Sequence, residues 1–315
     1  MNLTSLASTL WSFASASARM GARKGWLRSE ALGCRTWSVG NIQAGGAGKT
    51  PLVALVARQA LSRGLSVAIL TRGYGGIWEQ QGGVIEPRSK SPHPQFCGDE
   101  PALLHELVPD AWILVGRDRI RQYRRVERKR GRGFDLVILD DGFQHWRIRK
   151  DFEIVALTSH TPLTRLHRDS STSLRYADLL VWTKGETRPS IGFEAPLVRL
   201  RSRARQIHGN PASGGRLWLL TGVADGAAVR ADIEALGHTV VHHSIFPDHA
   251  RFADAVAFEL RRQALEAGCV LAMTDKDWVK WKTLAVDGLD EVRVFEPELI
   301  FQEGEAEWRK KLWAE

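Results

Sequence analysis

Cysteine is scarce in this 315-residue chain. The three present, Cys34, Cys97 and Cys269, are scattered and odd in number, so neither a disulfide framework nor a cysteine-based metal site can be built from their spacing. That usage fits a reducing compartment, where a buried Cys serves as a small apolar side chain. No stretch approaches the ~18 consecutive apolar residues of a membrane span. A secretory leader is not expected, because its positive charge should precede the apolar run and here it follows. The composition, 43% hydrophobic and 25% charged, is that of an ordinary globular protein, long enough for about two domains and for a core without disulfides. An acidic excess is missing too. The formal net charge of +8 points to an anionic partner: a nucleotide, a nucleic acid or an acidic membrane surface.

The chain is organised around residues 37–50, Trp-Ser-Val-Gly-Asn-Ile-Gln-Ala-Gly-Gly-Ala-Gly-Lys-Thr. Arg35 to Val39 reads as a short buried strand. Gly45-Gly46-Ala47-Gly48-Lys49-Thr50 reads as a phosphate-binding loop opening onto a helix, whose positive N-terminal end favours an anion. Lys49 is placed to reach the β- and γ-phosphates, and the Thr50 hydroxyl to ligate Mg²⁺. The strict motif wants glycine five residues before Gly48; Gln43 stands there. A helical stripe from Leu52 to Ala60 and a strand from Ser66 to Leu70 complete the strand–loop–helix–strand unit that such a loop requires.

A second signal is independent of the first. Leu136-Val137-Ile138-Leu139 followed by Asp140-Asp141 is a buried strand ending in acid, the form of a magnesium-holding strand end. Adjacent carboxylates point to opposite sides of a strand, which leaves open which one touches the metal. Loops beyond other strand ends carry further polar residues, where ligands bind in open α/β sheets. Arg72 and Tyr74 lie in one of them. Asp99, in Gly98-Asp99-Glu100-Pro101, is either the cap of the next helix or a carboxylate able to take a proton from an attacking hydroxyl. Arg168-Asp169 reads either as a transition-state cation with its orienting carboxylate or as a surface ion pair. His249 adjoins an acid and a proline turn in Phe246-Pro247-Asp248-His249. Residues 77–98 carry no period and read as one long loop.

Leu3, Leu6, Leu10, Phe13, Ala16 and Met20 line one helix face, and Arg19, Arg23, Lys24 and Arg28 follow with no acid before Glu30. This segment either packs on the protein's own core or lies on anionic lipid. From Arg117 to Arg132, nine of sixteen residues are Lys or Arg; with Tyr123 as the lone aromatic, a solvated or lipid-facing helix is favoured over a nucleic-acid stripe. The expected architecture is a P-loop NTPase-like, mostly parallel α/β sheet flanked by helices, with a second smaller α/β domain and an N-terminal amphipathic helix. The division is 1–30 for the helix, 31–205 for the P-loop domain and 206–315 for the smaller domain.

Together, the motifs at 38–51, 71–76 (Thr-Arg-Gly-Tyr-Gly-Gly), 98–101, 140–145 (Asp-Asp-Gly-Phe-Gln-His) and 246–249 give a specific pattern. The chain resembles the tetraacyldisaccharide 4′-kinase family of lipid A assembly in Gram-negative bacteria, over roughly residues 35–280. The resemblance implies transfer of the γ-phosphoryl of ATP, with Mg²⁺, to the 4′-hydroxyl of a tetraacyldisaccharide 1-phosphate, giving lipid IVA. It implies that Gly45 to Thr50 hold the nucleotide and that Thr50, Asp140 and Asp141 serve the metal. It further implies Asp99 as base with His249 orienting it, Lys49 and Arg168 as catalytic cations, and Arg72, Tyr74, Arg117, His145 and Asp169 around the substrate. The partners implied are the lipid A precursor and the cytoplasmic face of the inner membrane, met peripherally through residues 3–20, and no nucleic acid. Two stretches depart from the family: Arg168-Asp169 stands where Arg-Glu is common, and Ala224-Asp225-Gly226 replaces Gly-Asn-Pro. The competing reading is a GTPase-type metal or assembly chaperone. For it, Thr183-Lys184-Gly185-Glu186 stands where a guanine-reading loop would end in Asp.

Overall fold

The computed structural model describes residues 15, 17–21, 24–26, 28–43, 46–159, 169–210 and 215–315. The apolar positions Leu3, Leu6, Leu10, Phe13 and Ala16 lie outside the described residues, as do Gly45 and Arg168.

The first half runs β1 (Arg35–Asn41), α1 (Lys49–Ser62), β2 (Val67–Thr71), β3 (Gly83–Ile85), α2 (Asp99–Leu107), β4 (Trp112–Val115), α3 (Arg119–Arg130), β5 (Leu136–Asp140), β6 (Phe152–Thr158), β7 (Leu179–Lys184) and β8 (Leu197–His208). The remainder runs β9 (Arg216–Thr221), α4 (Gly226–Glu234), β10 (Thr239–Ile245), α5 (Asp254–Glu266), β11 (Val270–Thr274), α6 (Asp275–Trp281), β12 (Arg293–Glu303) and α7 (Glu305–Trp313). Among the described residues these strands make one 12-stranded sheet in the order β10-β9-β11-β12-β8-β7-β6-β1-β5-β2-β4-β3. Every pairing is parallel except β3 with β4 and β8 with β12.

Alternation explains the layers. Ile69 and Ile138 face a core shared with Leu52 and Val56 of α1 and Leu104 of α2. Leu70, Val137 and Leu139 face the other way, onto Tyr123 and Val126 of α3. Both faces are covered, so β2 and β5 are buried at every position, which is why they read as unbroken apolar runs. The basic run is thus partly structural: α3 turns Tyr123 and Val126 inward and leaves most of its cations outside. The chain leaves β1 toward β2 and later crosses back to β6 on its other side, so the end of β1 lies at a switch point, where ligands bind in such sheets.

Three expectations are corrected. The boundary placed at 205/206 falls inside β8, which pairs antiparallel with β12 along most of its length. The last strand and helix, expected in the smaller domain, return to the first half: Trp308 Nε1 and Trp313 Nε1 donate to Gln59 Oε1 of α1 at 2.8 and 3.0 Å. Residues 77–98 are not one featureless loop. They hold single helical turns at Trp78–Gln81 and Pro94–Cys97 around the short edge strand β3, segments too short to show a period.

Candidate active site

The phosphate loop is built by backbone geometry. Gly48 has φ 66° and caps α1 with no side-chain hydrogen bond to its first turn. That left-handed conformation strains any other residue, and the uncapped N–H groups at the positive helix end form an anion site. The Ala47 carbonyl accepts from Thr183 Oγ1 at 3.0 Å. Gln43 is 6% exposed and takes a hydrogen bond from Thr158 Oγ1 at 2.7 Å. The missing glycine of the strict motif is therefore a side chain that ties the loop entrance to β6. Lys49 Nζ lies 3.2 Å from Asn41 Oδ1 and 3.5 Å from Asp141 Oδ1.

Beside the loop sits a cluster of acids. Asp140, at the end of β5, is buried and accepts from Thr71 Oγ1 at 2.9 Å. Burial, with the negative charges of Glu100 and Asp141, pushes its carboxyl up to about 7. Asp141 holds φ 51°, a conformation rare outside glycine and common at functional sites. Arg119, the first residue of α3, is 7% exposed. Burial lowers its pKa, and Asp140 and Asp141 oppose that shift; its Nη1 is buried without a hydrogen-bond partner.

These donors fit a hard divalent cation. A carboxyl such as that of Asp140, which burial forces toward the neutral form, is relieved by one, and Asp, Glu and Thr supply the oxygen ligands Mg²⁺ takes. Among the described residues no group of three or more His, Cys, Asp or Glu is arranged to hold a metal alone. A cation here would draw its remaining ligands from the Thr50 hydroxyl, phosphate oxygens and water.

A second group of polar residues gathers around Asp99. Asp99 is the first residue of α2 and is not its cap, which is Gly98. The carboxylate is therefore not spent on capping. Its Oδ2 lies 3.2 Å from Nδ1 of His249. His249 has φ 63°, and its N–H donates to Asp248 Oδ1 at 3.1 Å, an oxygen that also accepts from Lys276 Nζ at 2.6 Å. Burial would raise the Asp248 carboxyl, but Lys276 outweighs it and holds the group below its usual range. Tyr74 stands edge-on to the imidazole at 6.4 Å. Tyr74, Asp99, His249, Arg251 and Lys280 line a cleft of about 280 Å³.

The other expected residues divide. Arg72 Nε is 2.6 Å from Glu79 Oε1, with its guanidinium 5.9 Å from the Tyr74 ring, at the cleft rim. Arg117 is exposed, and its backbone N–H donates to Glu79 O at 2.8 Å. His145 is half-buried and driven down to about 3 by burial, then by Arg119, Lys150 and Arg147, so it is neutral at working pH. Asp169 is a correction. It is 1% exposed, ion-paired with Arg19 and bonded to the N–H of Ser170 at 2.9 Å. A guanidinium from the N-terminal segment occupies the carboxylate expected at the substrate. Sequence reading also passed over Glu100, Arg119 and Asn41. Glu100 was hidden beside Asp99, Arg119 among eight other cations, and Asn41 just before the glycine-rich run.

Comparison with known proteins gives a consistent set of matches. The profile of the family described as tetraacyldisaccharide-1-P 4′-kinase (LpxK) matches residues 2–314. The tetraacyldisaccharide 4′-kinase of Syntrophus aciditrophicus is 34% identical over 290 residues, covering 80% of this chain and 77% of the relative. That of a Chelativorans species is 29% identical over 333 residues, covering 97% and 92%. The crystal structure of "apo" form LpxK from Aquifex aeolicus in complex with ATP superposes with a TM-score of 0.78 at 25% identity, over 98% of this chain and 96% of that one.

Proposed function

Because the chain belongs to the tetraacyldisaccharide-1-phosphate 4′-kinase family, we propose how its own residues move the γ-phosphoryl group of ATP to the 4′-hydroxyl of a tetraacyldisaccharide 1-phosphate in lipid A assembly. The observation that carries the reading is the Asp99–His249 contact of 3.2 Å. It joins a carboxylate of the nucleotide half to an imidazole of the distal half, beside the cleft where an acceptor hydroxyl would lie.

Phosphoryl transfer asks for alignment and charge neutralisation more than for covalent chemistry. Asp99 accepts the proton of the 4′-hydroxyl, and His249 holds that carboxylate in line; Asp248 and Lys276 hold His249 in its left-handed conformation. Gly46 to Gly48 and the start of α1 cradle the β- and γ-phosphates, and Lys49 follows the charge that spreads over the γ-phosphoryl oxygens. Thr50, Asp140 and Asp141, with Glu100 near, would hold Mg²⁺. Their chemistry there would be to hold a cation whose charge offsets that developing on the transferring group. Arg119 has a buried nitrogen to spend on phosphate, and Arg168 is proposed as a second cation on the transferring group. Arg72, Tyr74 and Arg117 border the acceptor path, with His145 as a neutral hydrogen-bonding neighbour.

The two halves act as lobes closing on the cleft, joined through β8 and β12. The protein meets the cytoplasmic face of the inner membrane from one side. No helix among the described residues is long and apolar enough to cross a membrane. Met20 is 50% and Trp26 73% exposed, beside Lys24 and Arg28. Exposed apolar groups flanked by cations suit an anionic lipid surface.

The test follows label from [γ-³²P]ATP into tetraacyldisaccharide 1-phosphate in detergent. Label in the lipid that disappears in Lys49→Ala supports the reading. Nucleotide hydrolysis with no labelled lipid, or preference for GTP, sinks it.

A further inference from the structure

One cation of the N-terminal segment is buried against the loop that follows β5. Arg19 is 6% exposed and ion-paired with Asp169, itself 1% exposed. Its guanidinium carbon lies 5.3 Å from the Phe143 ring centroid, 4.7 Å from that of Trp146 and 4.9 Å from that of Tyr176, all within cation–π range. Phe143 and Trp146 belong to the loop that follows β5, and Tyr176 to the single turn Ser171–Tyr176 before β7. One planar group thus gathers the N-terminal segment, the acid-bearing loop and the approach to β7.

The other side of that loop is equally constrained. A Cβ at Gly40 would stand 2.5 Å from Phe143 Cβ and 2.8 Å from its backbone nitrogen, so Phe143 presses directly on β1. Gln144 Nε2 donates to the Asn41 carbonyl at 2.9 Å, and Lys150 Nζ to the Gly142 carbonyl at 3.1 Å. Asp141 is two residues before Phe143, and both Asp141 and Asn41 touch Lys49. A path of packed contacts therefore runs from Arg19 through Phe143 to the groups around Lys49. Interiors this tight transmit displacement.

We propose that Arg19 is a positioning residue for phosphoryl transfer: by clamping Phe143 and Trp146 it sets Asp141 beside Lys49, and so makes the metal site depend on docking of the N-terminal segment. Arginine suits the place and lysine does not, because only the planar guanidinium can stack on rings while its Nη2 holds a carboxylate. The activity arm of the test rests on the kinase reading; the binding arm does not.

The experiment uses the full chain in detergent, as wild type, Arg19→Lys and the double variant Arg19→Met/Asp169→Asn. The double variant removes both buried charges together, so neither is left unpaired. Binding of ATP is titrated by calorimetry with and without Mg²⁺ and with no lipid present; kcat, KM and Tm follow. In the double variant we expect metal-free ATP affinity to stay within about twofold, while the Mg²⁺ needed for half-maximal binding and the loss in kcat each reach roughly 10-fold. Arg19→Lys falls between the two. The proposal is overturned if activity falls only with the folded fraction, if the Mg²⁺ requirement is unchanged, or if acceptor KM alone moves, which would make the segment a lipid contact only. Should wild type label no lipid, the kinase reading fails while the Mg²⁺ titration still judges Arg19.

Discussion

The two walls of the cleft are built on opposite principles. The nucleotide wall rests on strands buried at almost every position, β1 and β5, and its polar groups are fixed by neighbours in the core. The acceptor wall hangs from β10, where only Val240 is buried, and His249 is 42% exposed. The first wall, in the role proposed above, meets phosphates whose shape never varies, so rigidity suits it. The second must admit an acylated sugar and still bring an imidazole to Asp99. Its precision comes from a short relay, Lys276 to Asp248 to His249, rather than from burial.

The contrast can be broken by mutation, beginning with the rigid wall. Lys49→Met should lower kcat/KM for ATP roughly 10³-fold, with both binding and turnover affected, because it removes a cation that follows charge into the transition state; steady-state kinetics with saturating acceptor would show it. Asp99→Asn comes next, at about 10²–10³-fold in kcat with ATP affinity nearly unchanged. Equal losses in both would remove Asp99 from the role of base. His249→Gln should cost about tenfold in kcat, and combined with Asp99→Asn it should cost little more than the single Asp99 change, since the two act as a unit. Full additivity would mean that His249 works elsewhere.

The smallest effect concerns stability, and its sign follows from burial. Asp140 is raised from 3.8 to about 7, so the fold prefers it protonated. Its contribution is fully present below pH 3.8 and is lost as pH rises through about 7. Asp140→Asn removes that loss. Nucleotide-free Asp140→Asn should therefore melt a few degrees above wild type at pH 8 and at nearly the same temperature at pH 4, while the enzyme is inactive. Identical midpoints at pH 8 would show that the carboxylate is already compensated by Arg119.

Much of the nucleotide wall was legible because its strands are buried on both faces and its acids sit at their ends. Composition and order are then the same signal. Across the cleft, only the two members of the Asp99–His249 contact were legible: Asp99 between glycine and proline at the start of α2, and His249 beside proline and acid just past β10. What stayed hidden had no local signature. Arg119 differs from its basic neighbours only by pointing inward, which depends on Asp140 twenty-one residues away. Asp169 looked like a partner for Arg168 because the two adjoin; among the described residues it pairs with Arg19, brought by a segment at the other end of the half. The boundary near 205 failed because β8 is a strand of alternating burial that continues through it. Its partner β12 comes some ninety residues later, beyond the reach of any local pattern.

That pairing sets an order of assembly. β8 leaves the ribosome well before β12, and loops of this span close late in folding because their entropy must be met before their contacts form. Until β12 and α7 are made, Gln59 lacks both indole donors and Trp37 lacks Trp313, whose ring stands 5.2 Å from it in the finished protein. The nucleotide half is thus begun first and completed last. Its closing piece arrives only after the lobe that carries His249, so a nascent chain whose first half is fully packed already possesses the imidazole that meets Asp99.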